Sequence, residues 1–241
     1  MSLLLNGDCL ELMKQIEDDS VDLIFCDLPY GQTSCKWDII IPWEPFWNEI
    51  MRVKKLNTPV FFTTTTKFGV ELINNAPKKC PFRWDVVWVK SATSGFLLSC
   101  KMPLRKHEMV YAFYEKLPFY DLSSHKHKFK QEYNDFDNKG GAYGVIKSQK
   151  GHPEPLYNPP LPTSIMEIKS TRGKHSTEKP VELMSWILKY FSKEGDVVLD
   201  PTMGSGSTGV ACKNMNRNFI GIERDEEIYD VAVERIETTD M

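Results

Sequence analysis

Two short stretches of this chain carry residue types arranged for chemistry. The first runs Val197-Val-Leu-Asp200-Pro201-Thr202-Met-Gly204-Ser-Gly206-Ser207-Thr208 and is followed by a second acidic position, Glu223. An apolar strand, an acidic turn, paired glycines, a helix start, and a carboxylate ending the next strand about 20 residues on make a nucleoside-cofactor βαβ unit. Gly204 and Gly206 permit a tight turn and close approach of a ligand. Ser207 or Thr208 is expected to cap the following helix, and Glu223 can accept from both ribose hydroxyls. Asp200-Pro201 stands where a dinucleotide loop would open with glycine, so the pattern is not the dinucleotide one.

The second stretch is Asp27-Leu28-Pro29-Tyr30-Gly31, directly after the apolar run 21–26. A carboxylate, a rigid turn and an aromatic ring at a strand end suit a planar substrate bearing an amino group. Asp27 and the carbonyl of Leu28 can accept hydrogen bonds from an exocyclic NH₂ and favour its nitrogen as a nucleophile. Tyr30 can stack on the ring, and Pro29 fixes the turn. Taken alone, the stretch reads equally well as an ordinary strand-ending turn.

These residues need a scaffold, and the periodicities supply one. Strands are expected at 2–6, 21–26, 59–63, 84–89, 109–114, 197–199 and 219–222, with 84–89 and 109–114 as neighbours. Helices are expected at 9–17, 43–54, 67–75, 180–191, from about 207, and at 226–236. Alternating strands and helices mean an α/β fold with a mostly parallel sheet covered on both faces. Ligands in such sheets sit beyond the carboxyl ends of the strands. That is where Asp8, Asp27–Gly31, Asp200–Gly209 and Glu223 fall.

From 115 to about 175 the pattern dissolves into Gly, Pro, Asn, Lys and His. Net charge over the 241 residues is −3, yet residues 101–174 hold 13 Lys and Arg against 8 Asp and Glu, and four of the five histidines. A basic insert on an acidic body suits a polyanion, or else a solvated surface. The six cysteines form no Cys-x-x-Cys pair, so reduced thiols and no zinc site are expected. His125 and His127 read as a polar loop rather than a metal pair. No apolar run approaches a membrane span. The N-terminus lacks a basic region and a full apolar region, so no export signal is expected and the cytoplasm is the expected compartment.

Together the motifs resemble the amino-methylating DNA methyltransferases that use S-adenosylmethionine. Asp27-Leu28-Pro29-Tyr30 looks like their catalytic Asp-Pro-Pro-Tyr, and Asp200–Thr208 like their cofactor loop. His175-Ser176-Thr177-Glu-Lys179-Pro180 is similar to the family's His-Pro-Thr-Gln-Lys-Pro, and Gly7-Asp8 to its acidic position near the cofactor adenine. The order, catalytic motif first and cofactor loop last, is that of the β group. The resemblance implies a permuted seven-stranded Rossmann-like methyltransferase sheet with helices on both faces. Residues 1–114 would be the catalytic half, 115–174 a target-recognition insert, and 175–241 the cofactor half. It implies a site-specific DNA methyltransferase acting on adenine N6, through Asp27, Leu28, Pro29 and Tyr30. Cofactor contacts would come from Asp8, Cys9, Asp27, His175, Ser176, Thr177, Lys179, Asp200, Pro201, Thr202, Gly204, Gly206, Ser207, Thr208, Glu223 and Arg224. Lys126, Lys128, Lys130, Lys147, Lys150 and Arg172 would face DNA. A homodimer and a cognate restriction enzyme are further partners the family allows.

Leu28 departs from the family's proline and loosens the turn, but it still supplies a carbonyl. The other readings are N4-cytosine methylation, which the Asp opening disfavours because many N4 enzymes open their motif with Ser, and a non-catalytic DNA- or cofactor-binding relative, for which Leu28 speaks. A protein-glutamine methyltransferase would open its motif with Asn and reverse the motif order. A C5-cytosine enzyme needs a Pro-Cys thiolate, and the chain has no such dipeptide.

Overall fold

The central strands are short and apolar because both of their faces are covered. Leu23–Cys26 (β2) and Val60–Thr64 (β3) are buried along their whole length, and Val197–Asp200 (β9) is nearly so. A computed structural model describes residues 1–31, 38–127, 157–170 and 178–239 of the 241. The other strands in chain order are Ser2–Asn6 (β1), Phe82–Ser94 (β4), Arg105–Phe113 (β5), Lys126–His127 (β6), Tyr157–Asn158 (β7), Ile165–Glu167 (β8) and Asn218–Glu223 (β10). The helices are Cys9–Leu12 (α1), Trp43–Val53 (α2), Thr66–Asn75 (α3), Val181–Phe191 (α4), Ser207–Asn214 (α5) and Glu226–Glu237 (α6).

Eight strands form one sheet in the order β1-β10-β9-β2-β3-β5-β4-β8. The pairings from β1 to β3 are parallel, β5 is antiparallel to both β3 and β4, and β8 runs parallel to β4. The seven expected strands are all present. The eighth, β8, adds an edge and comes from residues expected to lie in the insert. The chain divides into one unit of 1–120 with 164–241 and another of 121–163. The second unit is therefore shorter at both ends than the expected 115–174. The helix expected over 9–17 is a single turn, α1, continued by a 3₁₀ turn at Met13–Gln15.

Side chains alternate across the sheet, and two cores result. On one face Leu23, Phe25, Phe61, Val110, Val198 and Phe219 meet Leu183, Met184 and Ile187 of α4, Ala211 of α5 and Ile236 of α6. On the other face Ile24, Cys26, Val60, Phe62, Phe113 and Leu199 meet Met13, then Phe46, Trp47 and Ile50 of α2, and Phe68 of α3. Among the described residues no helix is long and apolar enough to cross a membrane.

One glycine is set by packing. A Cβ on Gly209 of α5 would lie 2.4 Å from Ile236 Cδ1 and 2.7 Å from the Phe219 ring. The helix rests directly on β10 and α6 there, and overpacking a tight site costs about 1–3 kcal/mol. Gly209→Ala is expected to lower unfolding free energy by that amount, read as a lower urea midpoint at unchanged slope.

Candidate active site

The alternation that builds the core also places a polar band. Phe219, Val198, Phe25, Phe61, Val110 and Trp88 all face α4–α6. Two or four residues along each strand, toward the same end of the sheet, the same phase holds Glu223, Asp200, Asp27, Thr63, Glu108 and Lys90. Six neighbouring strands thus present polar side chains at the carboxyl ends of the parallel strands, on one face.

Asp27 is the centre of this band. Its Oδ1 accepts from the Thr63 hydroxyl and, at 3.3 Å, from the Tyr30 hydroxyl. Its Oδ2 accepts from Lys179 Nζ at 2.7 Å. Among the described residues three donors occupy a carboxylate with about four acceptor positions, so one position is left. Tyr30 packs its ring on Phe68, with centroids 4.8 Å apart, and burial beside Asp27 pushes its phenol well above the ordinary range. Tyr30 is therefore a neutral hydroxyl fixed from behind. Leu28 turns its side chain into the core under α2 and α3, 4% exposed. Its backbone stays with the motif while its side chain serves the fold. Cys26, one residue earlier, is fully buried with its thiol pushed far up by desolvation, so it is no nucleophile.

The glycine loop adjoins Asp27. Thr202 Oγ1 donates to the Asp27 carbonyl at 3.3 Å, across 175 residues of sequence. Asp200, 2% exposed, accepts from Thr202 N at 3.1 Å and from Thr208 Oγ1 at 2.6 Å. It braces the loop from inside. Pro201 is buried beside it. Glu223 accepts from Gly204 N at 3.0 Å and from Asp225 N at 2.9 Å, one bond per oxygen, so acceptor positions remain on both. Gly204 and Gly206 have φ of +52° and +81°. A side chain on Gly204 would project into open space next to Glu223, whereas one on Gly206 would meet α6. The expected helix cap is different in the structure. Gly206 holds the cap position, Thr208 bonds Asp200, and Ser207 Oγ donates to the Lys179 carbonyl at 2.7 Å. Ser207 thereby tethers the loop to the segment before α4, which Arg235 also clamps through Glu178 at 2.9 Å and Ser205.

Asp8 is exposed and caps α1 through Leu10 N at 2.8 Å. Cys9 is buried, its thiol pushed up to about 12 by desolvation and Asp8. Arg224 is exposed one residue past Glu223. Lys126 is exposed on β6 of the second unit, where His125 Nδ1 lies 2.9 Å from the Pro159 carbonyl. Lys128, Lys130, Lys147, Lys150, Arg172, His175, Ser176 and Thr177 lie outside the described residues.

Three members of the band escape motif reading: Thr63, Glu108 and Lys90. Lys179, expected among cofactor ligands, bonds Asp27 and stands 3.8 Å from Glu108 Oε2, while Lys90 Nζ holds Glu108 Oε1 at 2.8 Å. The available signal is phase. Glu108 shares parity with buried Val110 and Ala112, and Lys90 with Val86 and Trp88.

With this geometry in view, the comparisons fall into place. A family model described as DNA methylase, of the N6/N4 methyltransferases, matches residues 21–234. The chain belongs to this family of DNA amino-methyltransferases. It is 29% identical over 267 aligned residues to the type II methyltransferase M.HinfI of Haemophilus influenzae, covering 98% of this chain and 68% of that one. It is 26% identical to the DNA adenine methyltransferase YhdJ of Escherichia coli K12, covering 97% and 82%. In structure it is similar to M1.HpyAVI solved with SAM, with a TM-score of 0.64 at 22% identity over 98% of this chain and 100% of that one. It is also similar to the cytosine-N4-specific PvuII DNA methyltransferase, with a TM-score of 0.68 at 14% identity over 100% and 88%.

Asp200 generates a pH test. Desolvation pushes its carboxyl up to about 7, with Asp27 and Glu223 adding, against the bonds from Thr208 and Thr202 that pull it down. A carboxyl raised in the folded state favours unfolding as pH climbs from its ordinary value to the raised one, because the unfolded chain releases the proton first. Asp200→Asn removes this contribution. Its stability relative to wild type is expected to improve steadily from pH 4 to pH 7, measured by urea unfolding at each pH.

Proposed function

We propose that this chain transfers the methyl group of S-adenosylmethionine to the exocyclic N6 of adenine within a specific DNA sequence. The observation that carries the reading is the Asp27 carboxylate. It is held by three donors with one acceptor position left, and it is bonded through its own carbonyl to a glycine loop that ends in open space.

The residues present fit the cofactor. Gly204 leaves room where any side chain would intrude, Glu223 keeps free acceptor positions for ribose hydroxyls, and Asp8 stands exposed at the first strand's end. The name of the M1.HpyAVI complex supports the same cofactor. When bound, it supplies an electrophilic methyl on a sulfonium. The protein's part is to orient and to manage protons. An amino group paired inside a duplex must first be swung out of the stack. Asp27 then accepts its N–H, directs the nitrogen lone pair away from the ring, and stands ready for the proton that leaves once the C–N bond forms. Thr63 and Tyr30 fix the carboxylate's orientation, and such alignment is a large share of the rate.

The Asp opening of the motif and the adenine specificity in the YhdJ name support adenine. N4-cytosine is the second reading, favoured by the likeness to the PvuII enzyme. Residues 115–174 are proposed to engage DNA through Lys126 and the other insert cations, which would make affinity fall with salt in proportion to the phosphates contacted.

Asp27→Ala is expected to lower methyl transfer by about 10²–10⁴-fold while cofactor affinity stays nearly unchanged. Tyr30→Phe should keep most activity, because Thr63 still holds the Asp27 oxygen that Tyr30 bonds and the ring remains on Phe68. Labelled-methyl transfer to duplex and single-stranded DNA, with the product nucleosides separated, should give N6-methyladenine. N4-methylcytosine as sole product would overturn the choice of base. Glu223→Ala removes charged acceptors worth about 1.5–3 kcal/mol each. Calorimetry should show cofactor binding weakened by at least tenfold, and unchanged affinity would refute its role.

A further inference from the structure

Among the described residues no hydrogen-bond donor reaches Glu108 Oε2, a buried carboxylate oxygen. A buried acceptor left unpaired is costly, and native structures rarely keep one without a use. The nearest cation is Lys179 Nζ at 3.8 Å, which is engaged 2.7 Å from Asp27 Oδ2. The other Glu108 oxygen is held by Lys90 at 2.8 Å, so the carboxylate cannot turn away. All three side chains are nearly enclosed, with Lys179 13%, Lys90 14% and Glu108 20% exposed. The sequence of charges along the band is Asp27, Lys179, Glu108, Lys90, alternating in sign.

The one acceptor position left on Asp27 lies on Oδ2, the oxygen that Lys179 also holds, while Thr63 and Tyr30 share Oδ1. A substrate N–H that reaches Oδ2 competes there with the ammonium. A cation displaced from Asp27 with no second partner would be left buried and uncompensated. We propose that Glu108 is a positioning residue that receives the Lys179 ammonium when the substrate amino group reaches Asp27, with Lys90 holding it in place to do so. A move of roughly 1 Å brings the lysine from 3.8 Å to a charge-assisted bond length, and its flexible stem allows this. Asp27 Oδ2 is then free for the substrate N–H, and the lysine's charge stays paired throughout. The inference rests on the reading of Asp27 as acceptor for the amino group.

The groups facing Lys179 are Asp27 and Glu108, with Lys90 behind Glu108 and the Tyr30 phenol beside Asp27. Burial by itself lowers the Lys179 ammonium, but Asp27 and Glu108 outweigh it and hold it above its ordinary value. The lysine is therefore a lasting cation.

The test is steady-state kinetics of the full chain with S-adenosylmethionine and substrate DNA. Glu108→Gln should lower kcat tenfold or more and leave KM for DNA and cofactor affinity within about twofold, because the hand-over acts only once both are bound. The double variant with Lys179→Gln should be no slower than Lys179→Gln alone, because Glu108 acts through the lysine. Wild-type kcat in Glu108→Gln, a loss carried by KM instead of kcat, or losses that multiply in the double variant, would overturn the hand-over. Asp27→Asn separates the two levels. If it stays active, the reading of Asp27 fails. If it is inactive while Glu108→Gln is unaffected, the hand-over alone fails. Should Glu108→Gln melt below the assay temperature, Lys90→Gln replaces it, with a smaller fall in kcat expected and an unchanged kcat counting against the proposal.

Discussion

The pairing of β2 with β9 is the constraint on which the site depends. The contact is small, Leu23 opposite Val198 and Ile24 opposite Leu199. It joins the Asp27 turn to a loop some 175 residues away, and without it neither the Thr202–Asp27 bond nor the Lys179–Asp27 ion pair could form. Parallel neighbours cannot be linked by a tight turn. The chain therefore leaves β2, builds the β3-β5-β4-β8 half of the sheet, and returns through α4 to enter β9 beside its starting point. The Asp27 turn and the glycine loop meet at that seam.

The same pairing explains why the polar band lies on one face. A side chain's face is set by parity, and a one-residue slip of β9 against β2 would send Asp200 to the wrong side. Phe25 and Val198 both pack against α4, which locks the register by burial rather than by polar contacts. The charged residues at the strand ends inherit their positions from an apolar jigsaw beneath them. This is economical, because a buried ion pair is a poor source of stability by itself.

Much of this was legible in the sequence, and for identifiable reasons. The short apolar runs at 23–26, 60–64 and 197–200 have no alternation because both faces are covered, and the stripe at Val181–Phe191 has a clear helical period. The Asp200 motif stands out because an acidic turn, paired glycines and a second carboxylate follow apolar strands in order, whereas the Asp27 turn alone reads equally well as a strand ending and gains its meaning beside that motif. Partnership was harder to read. Ser207 and Thr208 have the chemistry of helix caps, yet tertiary neighbours claimed both hydroxyls and left the cap to Gly206. Lys179 sits in a recognisable motif, but its partner is fixed by strand order. Glu108 and Lys90 lie in strands that read as ordinary surface-and-core alternation, and only the pairing of β4 with β5 brings their charges together. Strand β8 escaped because three residues, Ile165–Glu167, are too few to show a period.

The sheet's other edge has a consequence for how the protein is made. β1 pairs along its whole length with β10, and Asn6 Nδ2 bonds the Glu223 carbonyl across 217 residues. During synthesis at about 5–20 residues per second, the first strand waits roughly 10–45 s for its partner. Through that interval Leu3, Leu4 and Leu5 are an apolar strand with no neighbour, the kind of edge that invites pairing with another chain. Two strands some 217 residues apart are thus coupled in time as well as in space. The sheet can close over β1 only after residues 218–223 have been produced, and a nascent copy is most exposed to misassembly just before that.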